Sequence, residues 1–347
     1  MQKNKHLILT SVIPSYQMLS QKLTELKSSG QNPCGLYYYP NGSDYYLCSL
    51  QSSTGIYDSI EAIVNRLKVQ MQSDYIQIQK LLVAYPDLPT KCDDTQTAQI
   101  IDLSPKEMLS HLQNQMSSEF PAIQNVDYSI KYVHKDLEAY LSPAFYLTPP
   151  IDTLSPNNIY INPHANQKGL SLYATLAHEG FPGHLYQTLY SGKTASNPIR
   201  NILSNSGFVE GWASYIESYA YEYAPVSREI GQYLARNRSF YLCLYSLLDI
   251  YIHYYGWNFS QTAEYLNALG IHDTDSQKEI YQILIEDPGN YLKYCLGSLY
   301  IQDLKSYAKK TAPDTFDCKK FHQALLTMGP VPFPVLKKYI IQYMSLQ

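Results

Sequence analysis

Pro182, within the octapeptide Ala177-His178-Glu179-Gly180-Phe181-Pro182-Gly183-His184, sets the strongest limit on how this chain can fold. Leu170, Tyr173, Ala174 and Ala177 recur at helical spacing, which places His178 and Glu179 on the last turn of a helix. That helix cannot run through Pro182, which has no N–H for the carbonyl of His178 and whose ring crowds that carbonyl. On an unbroken helix the six-position step from His178 to His184 is about 240° of rotation, so the two rings would face apart. In the H-E-x-x-H pattern of zinc hydrolases the histidines are four apart and share a face, with the glutamate as general base. Two outcomes stay open. Either Phe181-Pro182-Gly183 forms a bulge that swings His184 back toward His178, using the backbone freedom of Gly183, or this is a helix end with two surface histidines.

The segment Phe208-Val209-Glu210-Gly211-Trp212-Ala213-Ser214-Tyr215-Ile216-Glu217 favours the first outcome. A His-His-Glu zinc site needs a third, carboxylate ligand on a following helix, and Glu210 stands at such a distance beyond His184. Glu217 follows two turns later on the same face. The spacing therefore assigns Glu210 to the metal and Glu217 to the outer ring nitrogen of a histidine ligand, which it would orient. A solvated acidic face is the bland reading, but Trp212, Ala213, Tyr215 and Ile216 make this segment too apolar for a free surface helix.

These motifs, with "LSPAFYLTPPID", "NNIYINP", "NPIRNIL", "DIYIHYYGW", "DPGNYLKYCLG" and "FHQALLTMGPVPFPVL", resemble the C-terminal, catalytic part of the bacterial domain-of-unknown-function 885 family. Members of that family resemble gluzincin metallopeptidases, including the thermostable carboxypeptidase and oligoendopeptidase groups. The likeness runs from about Ile13 to the C-terminus. The family's H-E-x-x-P-G-H and E-G-W-A patterns fall on His178, Glu179, Pro182, Gly183, His184, Glu210, Gly211, Trp212 and Ala213. The resemblance implies a mainly α fold, a large helical metallopeptidase-like domain, and peptidase activity. Beside that family the chain looks short at its N-terminus, as a truncated member or a piece of a longer protein would, so an export signal and a helical subdomain would then be missing.

The order of elements fits that fold class. Leu7 to Leu26 reads as an apolar helix interrupted by Pro14; Asp58 or Ser59 caps a helix to about Leu82; Ser104-Pro105-Lys106-Glu107 fits a capping box. From Asp127 the period shortens to that of strands, and "DYSIKYV", "AFYLT" and "NIYIN" predict a small antiparallel sheet just before the metal helix. We read 1–126 as a helical scaffold and 127–347 as the catalytic region, within one compact domain. In gluzincins an edge strand beside the His-Glu helix pairs with the peptide substrate, so Asn158 to Asn162 is the candidate edge, with Asn158 and Tyr160 substrate-binding; a closed, structural sheet is the alternative. Tyr291 joins them from the helix after Asp287-Pro288-Gly289.

Two further groups are candidates for the chemistry. Asp249 and His253 are four apart, so the carboxylate would hold the imidazole protonated and ready to donate to an oxyanion; a structural i,i+4 pair explains the spacing equally well. The family's D-x-x-x-H and P-G-x-x-x-x-Y patterns fall on Asp249 and His253 and on Tyr294, a second oxyanion donor. His322, among Phe316, Phe321, Leu325 and Leu326, reads as a packed residue. The expected function is that of a Zn2+ peptidase in which Glu179 takes a proton from the activated water and returns it to the leaving amine, acting on peptide substrates. The alternatives are a non-catalytic helical peptide-binding protein on the same framework, or a zinc hydrolase of a non-peptide amide or ester.

Composition removes other classes. A net charge of −4 and no basic stripe leave no footprint for nucleic acid, and no apolar run is long enough for a membrane span. Charged residues make up 16%, well below the usual share of about 25%. The 35 tyrosines against 9 phenylalanines and 2 tryptophans suit a groove that binds a polar chain, although packing and surface roles account for most of them. Six cysteines without regular spacing read as reduced core residues, favouring a reducing, cytoplasmic compartment.

Overall fold

The helices that open after Ser59 and Ser104 begin where the local signals predict, because a side chain of the right type caps each of them. The hydroxyl of Ser59 accepts from Ala62 N–H and opens a helix that runs to Ala84, and Ser104 and Glu107 form a reciprocal capping box. The computed structural model describes residues 2–345 except 28, 31, 33, 93–100, 125 and 196. In chain order its helices are α1 (Gln2–Leu7), α2 (Ile13–Leu26), α3 (Gly42–Thr54), α4 (Ile60–Ala84), α5 (Leu88–Lys91) and α6 (Pro105–Gln115). Strands β1 (Tyr128–Tyr132), β2 (Ala144–Leu147) and β3 (Asn157–Ile161) follow. Then come α7 (Gly169–Glu179), α8 (His184–Thr194), α9 (Ser206–Tyr223), α10 (Arg228–His253), α11 (Phe259–Ala268), α12 (Thr274–Glu286), α13 (Asn290–Thr311), α14 (Cys318–Met328) and α15 (Phe333–Ser345). The fold is mainly α with one small sheet.

Pro14 does not interrupt the first helical stretch. It sits within the first two positions of α2, after a π-helical segment, Ile8–Val12, that leads in from α1. At a helix start the missing N–H costs little. Despite its apolar side chains, no residue from Gln2 to Leu26 is buried.

The sheet is mixed rather than antiparallel. Its order is β1-β3-β2, with β1 parallel to β3 and β2 antiparallel to it. Alternating side chains predict that a segment is a strand and which face it buries, but carry nothing about the direction of its neighbour. The consequence for function is direct. The Asn158 to Asn162 strand, expected at an edge, is the centre of the sheet and is paired on both sides, while β2 is the strand beside α7.

The core is built around α9. Phe208, Trp212, Ala213, Ile216 and Ala220 are buried, and α9 packs lengthwise on α13 and also against α7. The approach to α13 is as close as backbones allow. A Cβ on Gly211 would lie 2.4 Å from the Cα of Gly297, and one on Gly297 would lie 2.0 Å from the carbonyl oxygen of Gly207. Glycine at these positions lets the helices meet without side chains between them. Behind α9, His322 is fully buried and stacks on Phe120 at 4.2 Å, as its apolar neighbours predicted. Its Nδ1 donates to the carbonyl of Glu119 and its Nε2 accepts from Tyr215, while burial brings its pKa down to about 3.

Because the obstacle on both sides is backbone, Gly211→Ala or Gly297→Ala must push α9 and α13 apart. Each is expected to destabilise the protein by about 1–3 kcal/mol through overpacking. A lower urea midpoint with an unchanged slope is the expected result; an unchanged midpoint would mean the helices separate freely.

Candidate metal centre

Glu179 is the last residue of α7, and the chain then reverses sharply over four residues. Gly180 N–H closes the helix on the carbonyl of Leu176, the Phe181–Pro182 peptide is cis, and Phe181 is buried against Tyr128. Trp212 Nε1 donates to the carbonyl of Pro182, tying the turn to α9. Gly183 then crosses directly over the end of α7. A Cβ there would lie 1.9 Å from the carbonyl oxygen of His178 and 2.3 Å from that of Ala177. Only a residue without a side chain can make this crossing, so the role of Gly183 is close approach rather than an unusual φ. His184 starts α8 on the far side of the turn, and its ring meets that of His178 edge to face at 4.7 Å.

The turn thus does what an H-E-x-x-H helix does by periodicity. One ligand atom each from His178, His184 and Glu210 lie within 4.8 Å of one another, a group able to hold a metal ion. Glu210 reaches in from the first half of α9, its Oε2 at 3.2 Å from His184 Nε2 and 3.7 Å from His178 Nε2. The donor set fits a cation well: two imidazoles and one carboxylate converge, and the outer nitrogen of His178 is already occupied. That nitrogen, Nδ1, donates to Glu217 Oε1 at 2.8 Å, which leaves Nε2 to the shared centre.

Glu217 is itself buried and is held by a residue that the motifs did not single out. Arg238, on α10, donates from Nε to Oε2 at 2.7 Å and from Nη2 to Oε1 at 3.2 Å. Burial alone would raise the Glu217 carboxyl; the Arg238 charge, followed by the His178 bond, brings it to about 2 instead. Burial would likewise push His178 down, but its bonds to Glu210 and Glu217 hold the imidazole up at about 10. Burial would raise Glu210 too, but its bonds to His178 and His184 keep it well below the ordinary carboxylate range. The four groups form one charge-compensated relay, Glu210–His178–Glu217–Arg238. A buried carboxylate at position 217 needs a cation, and that need was the available clue to Arg238.

The centre lines a cavity of about 830 Å³. Glu179, Tyr291 and Tyr294 line it too, with the β2 segment along one wall. Glu179 Oε2 accepts the backbone N–H of Tyr146 in β2 at 2.8 Å, a contact no sequence pattern signalled. Tyr294 has its ring 6.2 Å from that of His178, and burial, followed by the nearby Glu210 and Glu179, pushes its phenol well above the usual range, so it remains an O–H donor.

Four expected residues are placed elsewhere. Asn158 and Tyr160 are in the central strand and do not line the cavity; Asn158 is buried and Tyr160 stacks on Phe145. His253 is buried away from the cavity, its Nδ1 accepting Leu36 N–H and its Nε2 donating to the carbonyl of Leu284. Burial holds it below its usual pKa, so it is a neutral structural histidine and not an oxyanion donor. Asp249 does not pair with it. The Asp249 carboxyl takes the hydroxyl of Tyr46 and the N–H of Gly289, pinning the turn before α13, and burial raises it to about 7. An i,i+4 spacing puts two side chains on one face but does not decide which of several neighbours each one bonds.

Over residues 2–340 the chain matches the family described as "Bacterial protein of unknown function (DUF885)", and it belongs to that family. No curated protein matches it. Among solved structures, a Colwellia psychrerythraea protein described as a "putative lipoprotein" superimposes with a TM-score of 0.82 at 22% identity, covering 98% of this chain and 62% of that one. A Shewanella oneidensis protein described as a "putative lipoprotein of unknown function" does so with a TM-score of 0.67 at 17% identity, covering 95% of this chain and 63% of its own. The chain thus spans less than two thirds of each, and the likeness is one of fold.

Two outcomes follow from the site's wiring. Glu217→Gln weakens the hold on the His178 ring, so affinity for a divalent transition-metal cation should fall about 10–100-fold in competition with a chromophoric chelator; unchanged affinity would show that Glu217 does not orient the ligand. For Asp249, the carboxyl titrates at about 7 in the fold against 3.8 as a free group. The stability it contributes is complete below 3.8 and lost as pH rises through 7. Between about pH 5 and pH 8 the native protein should therefore lose stability relative to Asp249→Asn. Parallel urea midpoints at the two pH values would contradict the assignment.

Proposed function

We propose that the protein is a zinc-dependent peptidase of gluzincin type, with Glu179 as its general base. The observation that carries this reading is the convergence of His178, His184 and Glu210 on one point at the wall of a cavity large enough for several residues of a peptide. Two nitrogen donors and one carboxylate suit zinc, and three protein ligands leave the open position that catalytic sites keep. Zinc held there supplies a Lewis acid and an acidified water.

The chain's own residues account for the rest. Glu179 adjoins the ligand His178 and turns its carboxylate into the same cavity, where it can take a proton and return it to a leaving amine. Tyr294 keeps its proton and can donate to the developing oxyanion, the role left to it alone once His253 is assigned to structure. Strand β2, at the sheet edge along the cavity, is where an extended peptide would lie, and backbone pairing there would compete with Glu179 for the N–H of Tyr146. The Glu217–Arg238 pair fixes the tautomer of His178.

Glu179→Gln should keep its zinc, measured by elemental analysis, and lose turnover of a mixed peptide library by about 10²–10⁴-fold in a mass-spectrometric assay. Retained turnover would reject the general base. Native protein that binds zinc and peptides but cleaves none would reject the peptidase in favour of a binding protein on the same framework.

A further inference from the structure

Arg238 holds Glu217 with one edge of its guanidinium, the Nε and Nη2 side. A guanidinium has five N–H groups arranged in a planar fork, and side-on pairing of this kind uses two of them. The end-on edge, formed by Nη1 and the second N–H of Nη2, has no partner among the described residues. This is not a fully enclosed side chain: it is 45% exposed and lines the cavity that holds the metal centre. Among the described residues lining that cavity it is the one lysine or arginine, alongside three carboxylates, Glu179, Glu210 and Glu217. Beside it α13 begins at Asn290 after Gly289, with the Gly289 N–H taken by Asp249 and the Asn290 N–H by the carbonyl of Asp287. Asn290 and Tyr291 line the same cavity.

Neutralising Glu217 uses only one edge of this arginine, and the side chain lies on the wall of the same cavity as the metal centre. We infer that this end of the cavity is a carboxylate subsite, in which the free edge of Arg238 receives a carboxylate of the substrate while its other edge keeps Glu217 in place. The inference rests on the peptidase reading for the nature of the substrate. Planar, bidentate recognition of a carboxylate is what arginine does and lysine does not. The carboxylate has two possible sources in a peptide, the chain terminus and an acidic side chain. Recognition of the terminus would make the enzyme an exopeptidase, because the metal centre and Arg238 are joined by a single histidine and a single glutamate.

The test is equilibrium binding to zinc-loaded Glu179→Gln protein, which separates recognition from turnover. The probes are tetraalanine, its C-terminal amide, and an amidated tetrapeptide carrying one glutamate. The free acid should bind about tenfold or more tightly than the amide, as charge-assisted pairs do; if the glutamate peptide alone gains, the source is a side chain. Zinc itself can take a carboxylate, so the deciding comparison adds Arg238→Lys and Arg238→Gln. Lysine keeps the charge that Glu217 needs but lacks the fork. With zinc content unchanged, the carboxylate preference should shrink with Lys and vanish with Gln. No preference for any carboxylate, or a preference that survives Arg238→Gln, would overturn the subsite. A preference that depends on Arg238, in a native protein that cleaves nothing, would support the subsite and remove the peptidase reading.

Discussion

The crossing of Gly183 over the carbonyl of His178 is the constraint on which the site depends. A helix that ended at Glu179 and wandered off would leave His178 with no nitrogen partner. A helix that continued would carry His184 about 240° round the axis, out of reach. The turn does neither, because Phe181 anchors it in the core, the Pro182 carbonyl takes the indole N–H of Trp212, and the chain passes within contact distance of the helix end. The same tryptophan belongs to α9, which carries Glu210 two residues before it and Glu217 five residues after. The position of the third ligand and the shape of the turn are thus set by one packing contact.

Electrostatics then decides what this geometry can hold. Two carboxylates and an imidazole in a buried wall would be costly unless each charge has a partner. Glu210 faces both histidines, Glu217 faces His178 and Arg238, and the alternation of sign leaves one end of the row open to the cavity. A divalent cation would replace the proton that His178 otherwise holds strongly, so cation binding and proton release are linked at this site. The close packing of α9 on α13 through Gly207, Gly211 and Gly297 keeps Tyr294 and the row on adjoining walls.

Much of this was legible in the sequence where the cause is local. The break at Pro182, the capping box at Ser104 and Glu107, and the two-turn spacing of Glu210 and Glu217 depend on residues within a few positions of each other, and the structure places all of them as read. What was not legible is decided across the chain. Strand alternation in Asn157–Ile161 looks the same in the centre of a sheet as at its edge, so it cannot tell that β3 is central and that the edge beside α7 is β2. Asp249 and His253 share a face but find Tyr46, Gly289, Leu36 and Leu284 instead of each other. Arg238 sits in a helix with no motif around it. Its place is known only once Glu217 is known to be buried.

X-ray absorption at the zinc edge, on native protein loaded with one equivalent of zinc, tests the central claim most directly. Two imidazole nitrogens at about 2.0–2.1 Å and carboxylate oxygen at about 2.0–2.2 Å, with one imidazole contribution lost in His184→Ala, is the predicted result. A spectrum unchanged by that substitution, or the absence of stoichiometric zinc in the native protein, would contradict the convergence of these three side chains on one cation.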